Sequence, residues 1–365
     1  MKCNAAIAFS PARPLELVTI DVRDPDPGEV LVRMVATGIC HSDIAVLDGQ
    51  NPRIGRFPIL LGHEGAGVVE KVGQGVTALA PGDHVINAPS PQCGVCPECM
   101  SGRSNLCQEL LAGFAPSKTA YSYEGRALNR FMHAGTFTEF MVTTASSVAK
   151  IRNDAPLDKS CVASCCVATG VGASVFAAKV RPGDTVAVFG LGGVGLNAVQ
   201  GARLCSARRI IAVDMDPERE AMARRFGATD FVDARAIADV PTHIQQLTGG
   251  GVDHAIEAVG HPEVIRQALA CTRMGRSNCI VLGMIPDDAH IKLGPADLGI
   301  GRSLRVSVAG DTLGLVDTPK YVDWYMEGKL LFDEIISRAY PFEKINDAIA
   351  EQKKGAAIRN VIRFK

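Results

Sequence analysis

Apolar residues in the first 160 positions form short runs separated by turns rich in glycine and proline. Two of these runs, at 29–35 and 67–72, each contain three valines and are bounded by turn residues such as 26–28 and 81–83. Short apolar runs rich in β-branched residues between such turns are typical of β-strands. The first part of the chain is therefore predicted to be a β-rich, barrel-like region.

The pattern changes near residue 158, where apolar strands begin to alternate with helical stretches. The second helix has a proline, Pro217, at its first turn and Gly227 at its end, as helices commonly do. Strand and helix in alternation predict a parallel sheet covered by helices on both faces. The predicted strands are 185–189, 209–213, 254–259 and 277–282, and the predicted helices are 194–205 and 217–226. The last strand, 360–364, is expected to return to the first domain.

Composition narrows the function classes. A chain of 365 residues is long enough for two domains, and its net charge of −1 gives no reason to expect nucleic acid or an anionic membrane as a partner. There is no run of 18 apolar residues without a charge, so a membrane-spanning helix is not predicted. The apolar N-terminal stretch is too short for a signal peptide, which leaves a cytoplasmic location as the expectation.

A glycine-rich motif between the first predicted strand and helix of this alternating region indicates a dinucleotide site. Gly190, Gly192 and Gly195 form G-x-G-x-x-G, which permits a tight turn and offers helix N–H groups to a pyrophosphate. Asp214, at the end of the next strand, can hold both hydroxyls of an adenosine ribose and would repel a 2′-phosphate. The motif therefore predicts NAD rather than NADP. Arg219 is either a further ribose contact or a solvated charge on a helix.

Four of the twelve cysteines lie close together in the sequence, which predicts a metal site. In a long chain without a secretion signal, such crowding favours metal binding over disulfides. Four thiolates fill a tetrahedral zinc site and leave no position for a substrate, so the site would be structural. Disulfide pairing and an iron–sulfur cluster are the alternatives. The cysteines are Cys93, Cys96, Cys99 and Cys107.

A second, dispersed set of residues could form an open metal site. It comprises Cys40, His63, Glu64 and the adjacent pair Cys165 and Cys166. Two thiolates and one imidazole leave one zinc position open for a substrate. Taken separately, each residue is equally consistent with a buried thiol or a core histidine, because no spacing rule joins residues so far apart.

Several ordered motifs together resemble the zinc-dependent medium-chain alcohol dehydrogenases over essentially the whole length. The motifs are 38–43, the glycine-rich stretch 62–76, the four-cysteine segment, Cys165 with Thr169 and Gly170, the glycine loop with Asp214, and 358–360. The resemblance implies an α/β protein with two domains. A partly open, GroES-like β-barrel forms the catalytic domain (1–166 and 305–365), and a Rossmann domain with a doubly wound parallel sheet binds NAD (167–304).

The resemblance also implies a role for individual residues and two zinc ions per chain. Cys40, His63 and Cys165 would hold the catalytic zinc; Cys166 beside Cys165 leaves open which thiol binds. Glu64 would sit behind this metal and approach it during ligand exchange, and Asp43 would orient His63. The structural zinc would be bound by the four cysteines Cys93, Cys96, Cys99 and Cys107. The cofactor contacts would be His41 and Arg359 to the pyrophosphate, Thr169 and Val194 to the nicotinamide, and Asp214 and Arg219 to the ribose, beside the loop residues Gly190, Gly192, Gly193 and Gly195.

The predicted activity is reversible hydride transfer between a primary alcohol or its aldehyde and NAD. Zinc lowers the pKa of bound water from about 15.7 to about 7, and an alcohol hydroxyl is affected in the same way. Ser42, near Cys40, would take the hydroxyl proton. In well-known family members a histidine five residues after the ligand cysteine ends this relay, but in this chain that residue is Ala45. Protons are expected to leave through His41 or through water, and His41 is preferred because the unperturbed pKa of an imidazole, about 6.5, suits proton exchange near neutrality.

Substrate identity and quaternary structure are less constrained by the sequence. Pro89 replaces a frequent aromatic residue of the substrate pocket, while Phe114, Phe137 and Phe140 either line the cleft or pack in the core. Alternatives are oxidation of a glutathione adduct of formaldehyde, an oxidoreductase that retains its cofactor, a zinc-free NADPH-dependent reductase, and a nucleotide-binding structural protein. The long segment between Cys107 and Phe137 resembles that of dimeric family members and favours a homodimer.

Overall fold

The computed structural model describes residues 1–50, 55–88, 90, 92–108, 119–286, 288–355 and 357–365. The chain forms two compact units: the first unit is Met1–Cys165 with Leu313–Lys365, and the second unit is Cys166–Thr312. The boundaries predicted from the sequence lie after residues 166 and 304, whereas the observed units divide after residues 165 and 312. The second observed boundary comes later because the last strand of the second unit continues to Val306 and a short helical turn follows it.

Strands occur throughout the described residues of both units. In chain order they are β1 (Lys2–Ala8), β2 (Glu16–Val22), β3 (Glu29–Gly38), β4 (Ile59–Leu60), β5 (Glu64–Val72), β6 (His84–Asn87), β7 (Tyr121–Tyr123), β8 (Arg126–Ala127), β9 (Asn129–Arg130), β10 (Phe140–Thr144), β11 (Val148–Lys150), β12 (Thr185–Phe189), β13 (Arg209–Asp214), β14 (Asp230–Asp233), β15 (His254–Glu257), β16 (Ser277–Val281), β17 (Arg302–Val306), β18 (Ile336–Pro341) and β19 (Arg359–Arg363).

Two sheets make up the β-rich first unit. One has the order β8-β7-β2-β1-β4-β9, and the other has β11-β6-β5-β3-β19-β18 with β10 also beside β3. The predicted strands 29–35 and 67–72 lie in β3 and β5, which pair antiparallel. The C-terminal strand β19 pairs antiparallel with β3, so the chain does return to the first unit, as predicted.

Strand β3 contributes side chains to two apolar clusters of the first unit. Its side chains alternate between two apolar clusters: Leu31 packs in one, whereas Val30 and Val32 pack in the other. Alternation by two along a strand sends neighbouring side chains to opposite faces. Because all three side chains are fully buried, β3 is an inner strand, and its C-terminal end at Gly38 leads directly to Cys40.

Among the residues that the structure describes, the helices of the first unit are short apart from two near the C-terminus. The α-helices are His41–Leu47, Pro97–Met100, Leu157–Ser160, Gly314–Met326 and Ile345–Lys353. The 3₁₀ turns are Ser104–Leu106, Phe131–His133, Ala145–Ser147, Cys161–Ser164, Asp333–Ile335 and Phe342–Lys344.

The second unit is a parallel sheet with the strand order β14-β13-β12-β15-β16-β17. Counted within the unit, this order is 3-2-1-4-5-6, that of the dinucleotide-binding doubly wound fold. Its α-helices are Cys166–Gly172, Gly193–Leu204, Arg219–Phe226, Val240–Thr248, Pro262–Ala270 and Pro295–Leu298, and it also contains a π-helical turn Ala173–Ala177 and a 3₁₀ turn Ala309–Asp311.

The helix predicted over 217–226 begins later than expected. It spans Arg219–Phe226, because Pro217 and Glu218 belong to a turn in which the Asp216 carboxylate accepts the Glu218 N–H at 3.1 Å. The predicted end is confirmed: Gly227 follows the helix with φ of 116°, a left-handed conformation that favours glycine. Among the described residues no single helix is long and apolar enough to cross a bilayer, and only the bent pair Leu157–Ser164 and Cys166–Ala177 passes on length and composition.

Candidate functional site

Four potential metal ligands from distant parts of the sequence meet in the first unit. Cys40 immediately precedes the helix His41–Leu47, and His63 and Glu64 lie at the start of β5. Cys165 follows the turn Cys161–Ser164. One ligand atom from each of the four residues lies within 4.8 Å of the others. This spacing suits a tetrahedral zinc ion, which lies about 2.0–2.3 Å from each ligand atom.

Asp43 sets the orientation of the His63 ring. Its Oδ1 accepts the Nδ1–H of His63 at 3.0 Å and the backbone N–H of Gly62 at 2.9 Å, while Oδ2 accepts the N–H of Cys40 at 3.1 Å. The Nε2 of His63 is buried and has no hydrogen-bond partner among the described residues. A buried ring nitrogen with a free lone pair, held by a carboxylate on the other nitrogen, fits a metal ligand.

The thiol of Cys40 is prepared to carry negative charge. A hydrogen bond from Cys165 lowers the pKa of Cys40 well below its usual value against the effect of burial, and the charges of Arg359 and His63 lower it further. Although burial alone would lower the pKa of His63, Asp43 and Cys40 raise it well above its usual value. The Cys40 thiolate and a protonated His63 ring thus stabilise each other in the metal-free chain, and loss of the ring proton would leave a thiolate and a neutral imidazole, the donor set that zinc binds.

Glu64 is fully buried beside the group. Burial raises the pKa of Glu64 to about 7, even though Arg359 acts in the opposite direction. Arg359 is 2% exposed, lies 3.4 Å from the Glu64 carboxylate and donates to the Ile39 carbonyl at 2.6 Å. The sequence predicted a pyrophosphate contact for Arg359; the structure shows its guanidinium in a buried ion pair with Glu64, which the sequence did not indicate. A Cβ at Gly38 would overlap the Glu64 carboxylate, so a larger residue at this position would displace the Glu64 side chain.

The structure distinguishes the two adjacent thiols. The sulfur of Cys165 belongs to the ligand group, whereas Cys166 is fully buried in the helix Cys166–Gly172 and its sulfur is not part of the group. Ser42 is half-buried, with its Oγ 3.6 Å from the Cys40 sulfur, and His41 is exposed next to it. The Ser42 hydroxyl therefore lies beside the metal-ligand group, and the His41 imidazole lies next to it at the surface.

The second metal-ligand group consists of Cys93, Cys96, Cys99 and Cys107, here called the four-cysteine lobe. Its sulfur atoms lie within 4.8 Å of one another, and every cysteine in the chain is a free thiol. Backbone N–H groups of Gln108 and Cys99 lower the pKa of the Cys96 thiol to about 6. Backbone donors also reach two other sulfurs, Cys93 N–H to Cys107 and Cys96 N–H to Cys93, both at 3.3 Å. The lobe presents four sulfurs in a closed arrangement, which fits a structural metal.

The glycine loop of the second unit forms a cradle for an anion. Gly190 has φ of +86°, and a Cβ at Gly195 would overlap the Gly190 carbonyl oxygen. At Gly192, which caps the twelve-residue helix Gly193–Leu204, a Cβ would meet nothing within 4 Å. The open space in front of a helix N-terminus fits the pyrophosphate of a dinucleotide.

Asp214 lies beside this loop at the end of β13. Its Oδ2 accepts the N–H of Leu191 at 2.6 Å and its Oδ1 the N–H of Asp216 at 3.0 Å. Arg219 is half-buried, with its Nε 3.5 Å from the Asp216 carboxylate. The predicted ribose carboxylate is therefore tied to the glycine loop, while Arg219 is turned toward a neighbouring acid.

The predicted nicotinamide contacts Thr169 and Val194 lie on two helices in close contact. A Cβ at Gly170 would overlap the backbone oxygen of Val194, so glycine at this position lets the helices approach. Both Thr169 and Val194 are half-buried. The remaining predicted cofactor contacts, His41 and Arg359, belong to the first unit.

Several residues near the metal ligands were not foreseen from the sequence, and some expected ones lie elsewhere. Phe131 stands edge-on to His63, with ring centroids 5.3 Å apart. Phe137 is fully buried in the core and Phe140 packs against the same cluster, which decides for packing over cleft lining. Pro89 and Phe114 lie outside the described residues. Asn87 and Ser164, which bind the backbone at His63, carry no pattern that could have identified them.

Comparison with known proteins identifies matching family models and full-length relatives. Residues 26–153 match the family model described as alcohol dehydrogenase GroES-like domain, and residues 193–326 match zinc-binding dehydrogenase. The chain is 41% identical to an "Alcohol dehydrogenase class-3" of Cereibacter sphaeroides and 40% identical to an "S-(hydroxymethyl)glutathione dehydrogenase" of Paracoccus denitrificans, each over 100% of both chains.

Solved structures agree in fold. An alcohol dehydrogenase zinc-binding domain protein from Burkholderia ambifaria superposes with a TM-score of 0.95 at 34% identity, covering 100% of this chain and 99% of the other. Benzyl alcohol dehydrogenase from Acinetobacter calcoaceticus superposes with a TM-score of 0.93 at 31% identity over 100% of both chains.

Proposed function

We propose a function that starts from the family to which this chain belongs, the zinc-dependent medium-chain alcohol dehydrogenases. Within that family it is an oxidoreductase that uses zinc and a nicotinamide dinucleotide. The proposed reaction is the reversible oxidation of a primary alcohol to its aldehyde. The observation that carries this proposal is the convergence of Cys40, His63 and Cys165 with the unpartnered Nε2 of His63.

The residues of the chain have distinct tasks in this proposal. Cys40, His63 and Cys165 would hold the catalytic metal, and the four-cysteine lobe the structural one. When bound, the zinc supplies a Lewis acid that acidifies the alcohol, and the nicotinamide supplies the hydride acceptor. Asp43 keeps the Nε2 of His63 available by occupying Nδ1. Ser42 takes the hydroxyl proton next to Cys40 and passes its own proton on toward solvent, and Glu64 lies behind the metal ligands, paired with Arg359.

The substrate proposed first is a simple primary alcohol, aliphatic or aromatic. The benzyl alcohol dehydrogenase of similar fold supports this choice. A second candidate is the hydroxymethyl adduct of glutathione, because two full-length relatives at 40–42% identity are named for it. The two candidates differ in charge, since the adduct carries the carboxylates of glutathione and a benzyl alcohol carries none.

One experiment tests the function and separates the substrates. Metal content is measured first, followed by NAD and NADP reduction with benzyl alcohol, a straight-chain primary alcohol, and formaldehyde with and without glutathione. About two zinc ions per chain and NAD-linked turnover are expected. Turnover with formaldehyde that requires glutathione and exceeds that with both alcohols would favour the adduct. Protein that holds no zinc outside the four-cysteine lobe and reduces alkenes with NADPH would refute the proposal.

Proton release through His41 is proposed as the end of the relay. The imidazole is exposed and directly follows Cys40 in the chain, next to Ser42. His41→Arg keeps a positive charge for the pyrophosphate but removes the exchangeable base. Because general-base catalysis contributes about 10²-fold or more, we expect at least a tenfold lower kcat near neutrality, restored by added imidazole buffer. An unchanged rate and pH profile would instead indicate release through water.

A homodimer is proposed for the assembled protein. In the described part of the chain, edge strand β17 pairs only with β16, and Val306 on it and Ile300 before it are strongly exposed. An open strand edge flanked by apolar residues is suited to pairing with a second copy. Light scattering is expected to give twice 38.6 kDa for the native protein.

Charge on that edge provides the matched test of the dimer. Val306→Asp with Ile300→Asp is expected to give monomers, because carboxylates would be buried without partners. Leu17→Asp, at an exposed apolar position on β2, is the control and should leave the mass unchanged. A native protein of monomer or tetramer mass would contradict the proposal.

The twelve free thiols are also in keeping with a reducing compartment, and we propose the cytoplasm.

A further inference from the structure

Two buried side chains outside the ligand set hold the backbone of His63. Its carbonyl oxygen accepts the Nδ2–H of Asn87 at 2.6 Å and the Oγ–H of Ser164 at 2.9 Å. Asn87 is 4% exposed and Ser164 is fully buried. A carbonyl oxygen has two lone pairs, so both directions of the His63 oxygen are used by side chains.

Asn87 holds the chain on both sides of Glu64. Its Nδ2 binds the His63 carbonyl, and its Oδ1 accepts the N–H of Gly65 at 2.5 Å. The backbone pairing of β5 with β6 stops at Ala66, opposite Ile86. The Asn87 amide therefore provides the donor and the acceptor that a neighbouring strand would otherwise supply to buried peptide groups. The peptide units that carry His63 and Glu64 are fixed as a result.

Ser164 connects this clamp to the third ligand. Its hydroxyl also lies 2.7 Å from the carbonyl oxygen of Asn87, so its single proton is shared between two carbonyls. Ser164 directly precedes Cys165, and His63 lies 101 residues earlier in the chain. One buried hydroxyl thus ties the backbone next to Cys165 to the backbone of His63.

We propose that Asn87 and Ser164 are positioning residues that preorganise His63 and Cys165 for the catalytic metal. The inference rests on the proposed function, in which these two residues are zinc ligands. Groups that fix metal ligands from behind typically change metal affinity by about 10- to 100-fold when they are removed. Because both side chains act through backbone atoms, they would change metal retention and ligand geometry without contacting the substrate.

Three variants and one control test this role in the intact, zinc-loaded protein. Asn87→Asp keeps the size of the side chain but replaces the donor to His63 with an acceptor. Ser164→Ala is the milder change and removes one hydroxyl, whereas Ser164→Thr retains it. Thr138→Ala is the control: it removes another fully buried hydroxyl of the first unit, which contacts the Asn4 carbonyl at 3.1 Å and the Cys3 sulfur at 3.3 Å, away from the metal ligands.

The measurements are zinc release to a chelator, the visible spectrum after cobalt substitution, and the melting temperature. We expect Asn87→Asp and Ser164→Ala to lose the zinc outside the four-cysteine lobe about 10- to 100-fold faster and to shift the cobalt spectrum. Ser164→Thr and Thr138→Ala should retain native zinc release and the native spectrum, although Thr138→Ala lowers the melting temperature.

The inference is overturned if Ser164→Ala lowers the melting temperature as Thr138→Ala does while its zinc release and cobalt spectrum stay native. Such a result would assign the clamp to folding alone. If Asn87→Asp does not fold, the Ser164 pair still decides. Native protein that binds zinc only at the four-cysteine lobe would instead refute the proposed function, so the two failures are distinguishable.

Discussion

Cys165→Ala is expected to lose one zinc ion per chain and nearly all alcohol oxidation, whereas Cys166→Ala retains both. The sulfur of Cys165 lies in the ligand group and that of Cys166 does not, although the residues are adjacent. Loss of a Lewis acid removes several kcal/mol of transition-state stabilisation, and each 1.36 kcal/mol of activation free energy changes the rate tenfold. We therefore expect kcat/KM to fall by about 10³-fold or more in Cys165→Ala.

The measurement is zinc per chain together with kcat/KM for the best alcohol, with the melting temperature as a check on folding. The pair of variants is well matched, because each removes one sulfur from neighbouring positions. Zinc stoichiometry that remains at two in Cys165→Ala, or an equal loss in Cys166→Ala, would show that the ligand assignment is wrong.

Asp214→Asn is expected to reduce the preference for NAD over NADP by about 10- to 100-fold, since hydrogen bonds to charged groups contribute about 1.5–3 kcal/mol. The carboxylate would bind the two ribose hydroxyls and repel a 2′-phosphate. Asparagine can still accept the N–H of Leu191, which the native Oδ2 binds at 2.6 Å, so the glycine loop should remain in place.

The check is the ratio of kcat/KM for NAD to that for NADP, measured with the same alcohol. Asp216→Asn is the control, because it removes a carboxylate two residues away that lies next to Arg219. A ratio that does not change in Asp214→Asn, or one that changes equally in Asp216→Asn, would contradict the ribose role of Asp214.

The sequence was most informative for the second unit. Strands of a parallel sheet are buried on both faces, so β12 and β13 appear as continuous apolar runs and were located to within a residue. The helix after β13 was predicted with its correct end because Gly227 alone suits the left-handed position there. The helix start was predicted two residues too early, because a turn around Asp216 competes with helix for the same residues.

Local spacing also identified the two most compact sites. The glycine loop is one strand–helix junction, and the four cysteines lie between residues 93 and 107, so short-range geometry determines both arrangements. The open metal site was different in kind. Its members are 40, 63, 64 and 165, and only the resemblance to a family joined them before the fold was known.

What the amino-acid sequence determined by itself was the chemistry available: thiols, imidazoles, a glycine loop and a carboxylate at the end of β13. Only the folded chain distinguishes Cys165 from Cys166, buries Arg359 against Glu64 and places Phe137 in the core. These outcomes depend on contacts between residues far apart, such as that of Arg359 with Ile39, 320 positions away. Periodicity and spacing describe neighbours along the chain, whereas packing and burial select which distant groups meet.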